Sequence, residues 1–284
     1  MIKQIIPATE LLAIIGDIKK KGFKTGFVPT MGALHDGHLS LVRKCKQEND
    51  ICVSSIFINP TQFNEKKDFD LYPRQVDEDI KKLESAGCDY VFTPDEETIY
   101  PGKDYSKIII DLGYSGSVLE AKQRPGHFDG VVTIVKKLFD LVQPQTVYFG
   151  QKDYQQCHVI KKLIEYFNYD IKLVLGETVR ESDGLAMSSR NMLLNQDERN
   201  LAPVIFETMS MAKKLLKEKS ISEVKDWAAN TFSTEKLINF EYFEIIDADS
   251  LKPINSLNEA NRIIICTAMK IGNIRLIDNM FVKK

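Results

Sequence analysis

The chain has 284 residues, of which 43% are hydrophobic and 27% charged; 38 Lys plus Arg stand against 40 Asp plus Glu, a formal net charge of −2. That balance excludes a strongly cationic nucleic-acid coat as the main use of the surface, but not a small anionic ligand held by a local cluster of donors. At about 150 residues per domain the length suggests two domains, and a chain this long buries enough surface to fold without a disulfide or metal staple.

Apolar positions Leu11, Leu12, Ile14, Ile15 and Ile18 predict a helix over Glu10–Lys21 with Thr9 as its N-cap. Phe23–Pro29 reads as a strand, and a helix begins near Gly37. Ile51–Ile58 (ICVSSIFI) is a nearly continuous β-branched run, as in a strand buried on both faces, and it must stop at Asn59-Pro60. Val76–Ala86 reads as a helix broken by Gly87, Tyr90–Thr93 as a strand, and Ile108–Asp111 as another short β-branched run. Phe128–Val142 has helical spacing and ends at Pro144. Thr146–Phe149, Tyr154–Phe167 and Ile171–Leu175 then read as strand, helix and strand. This alternation predicts an α/β fold, a Rossmann-like parallel sheet with helices on both faces, whose ligands bind beyond the carboxyl ends of the strands.

After Val179 the pattern changes. Arg180–Asn191 is polar and reads as a loop or linker. Helices are expected over Asp197–Lys217 and Ser222–Phe232, followed by β-rich runs Glu241–Ile246, Arg262–Met269 and Ile274–Val282, the last two joined by a hairpin at Lys270–Asn273. This predicts a small α+β domain with an antiparallel sheet, and a division into residues 1–180 and 181–284. Cys45, Cys52, Cys88, Cys157 and Cys266 form no C-x-x-C pair and read as reduced, mostly buried thiols of a cytosolic protein. Met1 to Glu10 lack the basic start and apolar core of a secretory signal, and no apolar run is long enough to span a bilayer.

Several groups of residues can carry chemistry. In Pro29-Thr30-Met31-Gly32-Ala33-Leu34-His35-Asp36-Gly37-His38 two imidazoles flank a strand-to-helix turn, where a helix N-terminus favours phosphate. An exposed turn or, more weakly, a metal pair are the other readings. Gly150-Gln151-Lys152-Asp153 follows a strand and offers a point charge for phosphate and an acceptor for ribose hydroxyls; simple helix capping is the alternative. Ser188, Ser189 and Arg190 could close over a triphosphate from a mobile loop, or belong to a solvated linker. Asn59 and Gln62 offer amides to a small polar substrate. Arg124–Gly130 reads as a structural loop entering a helix. Asp77-Glu78-Asp79 suits a helix dipole better than a magnesium site.

The order PTMGALHDGH, FINPTQF, LYPR, RPGHFDGV, YFGQKDYQQ and VRESDGLAMSSRN closely resembles the pantoate–β-alanine ligase (pantothenate synthetase) family of the nucleotidylyltransferase superfamily, over about Phe27 to Asn191. The resemblance implies a cytoplasmic homodimer with a Rossmann-like domain and a C-terminal lid. It implies that pantothenate is made from ATP, pantoate and β-alanine through pantoyl adenylate, with magnesium on the ATP phosphates and no nucleic-acid or membrane partner. Met31, Gly32, Ala33, Leu34, His35, Asp36, Gly37 and His38 would form part of the ATP site, with His38, His35 and Lys152 catalytic. Gly150, Gln151, Lys152 and Asp153 would hold the nucleotide, Val179 the adenine, and Met187, Ser188, Ser189 and Arg190 the triphosphate. Gln62, Gln156 and Asn59 would hold pantoate, and Gln62 also β-alanine. Glu78 stands where some relatives have aspartate, so no metal ligand is assigned. A simple nucleotidylyltransferase shares the histidine turn but needs no amide pocket. A class I aminoacyl-tRNA synthetase fragment would have lysines near Ala186 and Ser189 and a basic RNA-binding region. A non-catalytic nucleotide-binding module is the third alternative.

Overall fold

The computed structural model describes residues 2–283. The elements run β1 (Lys3–Ile5), α1 (Ala8–Lys20), β2 (Thr25–Thr30), α2 (Asp36–Glu48), β3 (Ile51–Ile56), α3 (Lys66–Leu71), α4 (Val76–Ser85), β4 (Tyr90–Phe92), α5 (Glu96–Ile99), α6 (Leu119–Gln123), α7 (His127–Val142), β5 (Thr146–Gly150), α8 (Tyr154–Tyr166) and β6 (Lys172–Gly176). After them come α9 (Gln196–Leu201), α10 (Val204–Leu215), α11 (Ile221–Ser233), β7 (Ile238–Asp247), β8 (Ile263–Ile271) and β9 (Ile274–Lys283). The chain divides into two compact units. One takes in residues through 151 and residues 156–177; the other takes in residues 152–155 and those from 178 onward.

In the first unit six strands pair in parallel in the order β1-β4-β3-β2-β5-β6. From β2 the chain winds outward through β3 and β4, then returns to add β5 and β6 on the other side. The order therefore reverses between β2 and β5, and doubly wound sheets bind ligands at such a reversal. Successive strand residues face opposite layers. Phe27, Val53, Phe92 and Val147 join a core with Leu11 and Ile15 of α1 and Val131, Val135 and Phe139 of α7. Val28, Cys52, Val91 and Tyr148 join a second core with Val42 and Cys45 of α2 and Leu83 of α4. Both faces are covered, as the near-continuous apolar strands require.

The second unit packs α10 and α11 on the antiparallel sheet β7-β8-β9. Met209, Val224 and Phe232 meet Ile245, Ile265 and Met269 in its core. The expected α/β parallel sheet and α+β antiparallel sheet are both present.

Three local expectations are corrected. The first helix starts at Ala8 behind Pro7, with no side-chain cap, so Thr9 is not its N-cap. Ile108–Asp111 joins no sheet: the Ile108 N–H bonds Thr133 Oγ1 at 2.8 Å and Ile109 is 76% exposed. The expected helix over Asp197–Lys217 is two helices, because Pro203 cannot continue the first one's ladder. The edge strand β1 is an addition, too short to register as a hydrophobic pattern.

Candidate active site

β2 ends at Thr30, and the chain turns through Gly32 at φ 85° and Ala33 at φ 51°, both left-handed. Thr30 Oγ1 donates to the Ser55 carbonyl at 2.7 Å and accepts the Gly32 N–H at 3.2 Å. A Cβ on Gly32 would stand 3.0 Å from Asp79 Oδ2, so glycine is required for closeness as well as for φ. Asp79 is fully buried and accepts the N–H groups of Ala33 at 2.7 Å and Leu34 at 2.8 Å. One helical turn on, Lys82 Nζ donates to the Leu34 carbonyl at 2.9 Å. α4 thus clips the turn from one side, by a carboxylate that the sequence alone reads as serving a helix dipole and an ammonium that carries no motif.

The two histidines cap α2 reciprocally. His35 Nδ1 accepts the Gly37 N–H at 3.2 Å and His38 Nδ1 accepts the His35 N–H at 3.4 Å. Their ring centroids lie 4.1 Å apart. A backbone N–H can only donate, so each Nδ1 is an acceptor and each neutral ring carries its proton on Nε2. The N–H groups of Gly32, His35 and Gly37 are bonded within the turn, and those of Ala33 and Leu34 to Asp79 of α4.

After β3 the chain enters a 3-10 turn, Pro60–Gln62. Asn59, expected to line a substrate pocket, is 1% exposed and fully engaged inside the protein. Its Oδ1 accepts from Tyr100 Oη at 2.6 Å, from Thr61 Oγ1 at 3.0 Å and from the Thr61 N–H at 3.4 Å. Its Nδ2 donates to the Gly130 carbonyl and to Gln62 Oε1, both at 3.1 Å. Gln62 Nε2 in turn points at Met31 Sδ, 3.0 Å away, which joins this turn to the histidine turn. The motif Arg124–Gly130 supports Gln62 from behind: His127 Nδ1 lies 2.7 Å from the Gln62 carbonyl and Arg124 Nη2 lies 3.4 Å from it. Gly130 packs so closely that a Cβ there would fall 2.4 Å from the Thr61 carbonyl oxygen. Gly150 ends β5, Gln151 follows it, and Gln156 is half-buried in the first turn of α8.

In the second unit Lys152 is 18% exposed in its side chain, and its Nζ lies 3.9 Å from the more open Asp153 carboxylate. The Lys152 carbonyl accepts from Asn279 Nδ2 at 2.8 Å. The neighbouring Asp278 pairs with Arg180 through two hydrogen bonds, at 2.6 and 3.0 Å, and Arg180 also donates to the Asn279 carbonyl at 3.2 Å. Burial pushes the Asp278 carboxyl above its ordinary value, while Arg180 and Lys152 pull it back. β9 therefore ties together the start of the Val179 loop and the backbone of Lys152, a role with no sequence signal beyond an Asp-Asn pair in an apolar strand.

The loop carries hydrogen bonds of its own. Arg180 bridges Ala186, the Met187 N–H donates to the Val179 carbonyl at 3.0 Å, and Ser188 caps the 3-10 turn Ser189–Leu193 by accepting the Arg190 N–H. Gly184, at φ 90°, lies against Phe206, whose ring would block any Cβ.

A family model described as pantoate–β-alanine ligase matches residues 3–281. The pantothenate synthetase of Caldicellulosiruptor saccharolyticus is 44% identical over 276 residues, spanning 96% of this chain and 97% of that protein. That of Thermodesulfovibrio yellowstonii is 45% identical over 269 residues, spanning 94% and 95%. The crystal structure of pantothenate synthetase from Thermus thermophilus superposes with a TM-score of 0.93 at 34% identity, over the whole of both chains. The pantoate–β-alanine ligase of Francisella tularensis, solved with a β-γ ATP ligand and β-alanine, gives 0.81 at 35% identity, covering 99% and 98%. This chain belongs to the pantoate–β-alanine ligase family.

Proposed function

We propose that the chain condenses pantoate with β-alanine to pantothenate, using ATP and passing through pantoyl adenylate. The observation that carries this reading is the contact of Gln62 Nε2 with Met31 Sδ at 3.0 Å. It joins a substrate-reading amide to the histidine turn at the carboxyl ends of neighbouring strands β3 and β2. A nucleotide turn alone would serve any nucleotidylyltransferase; an amide held against it serves an enzyme that activates a second small molecule. The relative solved with an ATP ligand and β-alanine supports the same substrates.

In the first step a pantoate carboxylate oxygen attacks the α-phosphorus, and the bond to the bridging oxygen breaks as pyrophosphate leaves. The Nε2–H groups of His35 and His38 and the Lys152 ammonium donate to phosphate oxygens as charge shifts onto them. With each Nδ1 held by a backbone N–H, the imidazoles work as fixed donors. Asp153 faces ribose, the Val179 backbone meets adenine, and Met187, Ser188, Ser189 and Arg190 grip the triphosphate. In the second step the β-alanine amine attacks the pantoyl carbonyl carbon, the C–O bond to AMP breaks, and the amine loses a proton. Gln62 and Gln156 orient pantoate in both steps, and excluding water protects the adenylate from hydrolysis.

Magnesium enters as part of the substrate, on the ATP phosphates. Among the described residues no three His, Cys, Asp or Glu side chains are grouped to hold a metal, and both Asp79 oxygens are taken by backbone N–H groups. Five buried thiols fit a reducing cytoplasm, and a homodimer is the assembly the family resemblance implies; light scattering on the purified chain tests it. Among the described residues no helix is long and apolar enough to cross a membrane.

The test is AMP formation from ATP. It should require pantoate and β-alanine together, with pyrophosphate release requiring pantoate alone. Pyrophosphate release with the nucleotide kept in the product, and no AMP freed when the amine is added, would instead support a nucleotidylyltransferase.

A further inference from the structure

We infer that Tyr100, a buried residue outside the substrate-reading motifs, is a positioning residue that holds the Asn59 amide in place, and through it keeps the Gln62 amide turned with one end to the substrate. The inference rests on the reading of Gln62 as a pantoate contact.

An amide side chain presents either a donor or an acceptor, and only its partners decide which. Here the partners leave one answer. The Thr61 N–H can only donate and the Gly130 carbonyl can only accept, and they face opposite ends of the Asn59 amide. Asn59 therefore turns Oδ1 to Thr61 and Tyr100, and Nδ2 to Gly130 and Gln62. Because Nδ2 donates to it, the Gln62 atom facing Asn59 must be Oε1. The Nε2 group is then the end turned to Met31 and the site.

The shortest bond in this relay is the one from Tyr100 Oη to Asn59 Oδ1, at 2.6 Å. Tyr100 is fully buried. Burial raises its hydroxyl above the ordinary 10.0, which favours the protonated, donating form. Its ring is held by Phe57 and Tyr105 and lies under the Lys137 ammonium, so a phenylalanine would keep the packing and lose only the hydroxyl.

The chemical consequence is a site that offers N–H donors at Gln62 and so selects acceptor oxygens, such as the carboxylate and hydroxyl oxygens of a hydroxy acid. A Gln62 free to rotate would offer its carbonyl part of the time and repel them.

The test is a double-mutant cycle on steady-state kinetics. Tyr100→Phe should raise KM for pantoate about three- to tenfold, the worth of one buried hydrogen bond, and leave KM for ATP unchanged. In a Gln62→Ala background the same substitution should raise the pantoate KM no further, because no amide remains to orient. Thr61→Val, which removes the second hydroxyl donor to Asn59, should act in the same direction and vanish in the same background. It serves as the second probe if Tyr100→Phe folds poorly. A wild-type pantoate KM in Tyr100→Phe, or an equal rise with and without Gln62, overturns the relay. A Gln62→Ala variant with normal pantoate KM overturns the reading beneath it, and is recognised without reference to Tyr100.

Discussion

Asp79 holds Ala33 in a left-handed conformation: its Oδ2 accepts the Ala33 N–H at 2.7 Å while Ala33 sits at φ 51°. A non-glycine residue there costs about 1 kcal/mol or more, and the carboxylate, with its second oxygen on Leu34, offsets that cost. Asp79→Asn supplies one acceptor where two are needed and aims N–H at N–H. It should lose about 1–3 kcal/mol of stability and lower kcat/KM for ATP. Adding Ala33→Gly removes the strain and should restore part of the stability. Urea unfolding and ATP kinetics on both variants check this; an Asp79→Asn protein as stable and active as wild type would remove the clip from the account.

Three of the four histidines divide between the two tautomers. His35 and His38 accept backbone N–H groups at Nδ1, which puts their protons on Nε2. His127 Nδ1 faces the Gln62 carbonyl at 2.7 Å, which can only accept, and its Nε2 faces Arg124 Nη1 at 3.1 Å, which can only donate. His127 therefore carries its proton on Nδ1. In nitrogen-15 spectra of histidine-labelled protein near neutral pH, the rings of His35 and His38 should be of one kind and that of His127 of the other; single substitutions assign these three and set apart His158, the fourth histidine. A uniform set would contradict the hydrogen bonding of either the turn or the Gln62 support.

His38→Ala and Lys152→Ala should each slow pyrophosphate release in the presence of pantoate by about a hundredfold or more, while leaving the melting transition close to wild type. On the proposed mechanism each removes a donor to the developing phosphate charge. Near-normal release in either variant would remove that residue from the adenylation step.

Much of this is readable from residue order. The β-branched run at Ile51 and the apolar runs at Phe27 and Val147 announce strands buried on both faces, and the paired-histidine turn marks the candidate site. What stays hidden is long-range pairing of polar groups. Asp79 in Asp77-Glu78-Asp79 has the same local pattern whether it faces a helix dipole or a turn more than forty residues away. Tyr100 and Gly130 look like ordinary core residues until the Pro60–Gln62 turn is placed against them. Ile108–Asp111 misleads in the other direction, because β-branched composition reports a half-buried extended segment, not whether a partner strand exists.

Gly130 has a packing role that a control can isolate. A Cβ there would meet the Thr61 carbonyl oxygen at 2.4 Å and Gln62 Cα at 2.8 Å, both backbone atoms that cannot rotate away. Gly130→Ala should cost about 1–3 kcal/mol and weaken pantoate use by displacing Gln62. Gly16, in α1, has no atom within 4 Å of a built Cβ. Gly16→Ala should stabilise by about 0.5–1 kcal/mol through helix propensity and leave kinetics unchanged. Thermal melts and pantoate KM of the two variants separate a close-approach glycine from an incidental one.

The Arg180–Asp278 pair makes a pH-dependent prediction. The Asp278 side chain is 2% exposed, and burial holds its carboxyl above the ordinary 3.8 despite the Arg180 guanidinium. The folded chain thus binds that proton more tightly than the unfolded chain. The contribution to stability is complete below about pH 3.9, the unfolded value, and is lost as pH rises through the folded value. Asp278→Asn cannot titrate. Its unfolding free energy, measured by denaturant at several pH values, should gain on wild type as pH rises from about 4 and then run parallel to it. An opposite slope would mean that the two hydrogen bonds from Arg180 outweigh the desolvation of Asp278, and that the ionised carboxylate is the form the fold prefers.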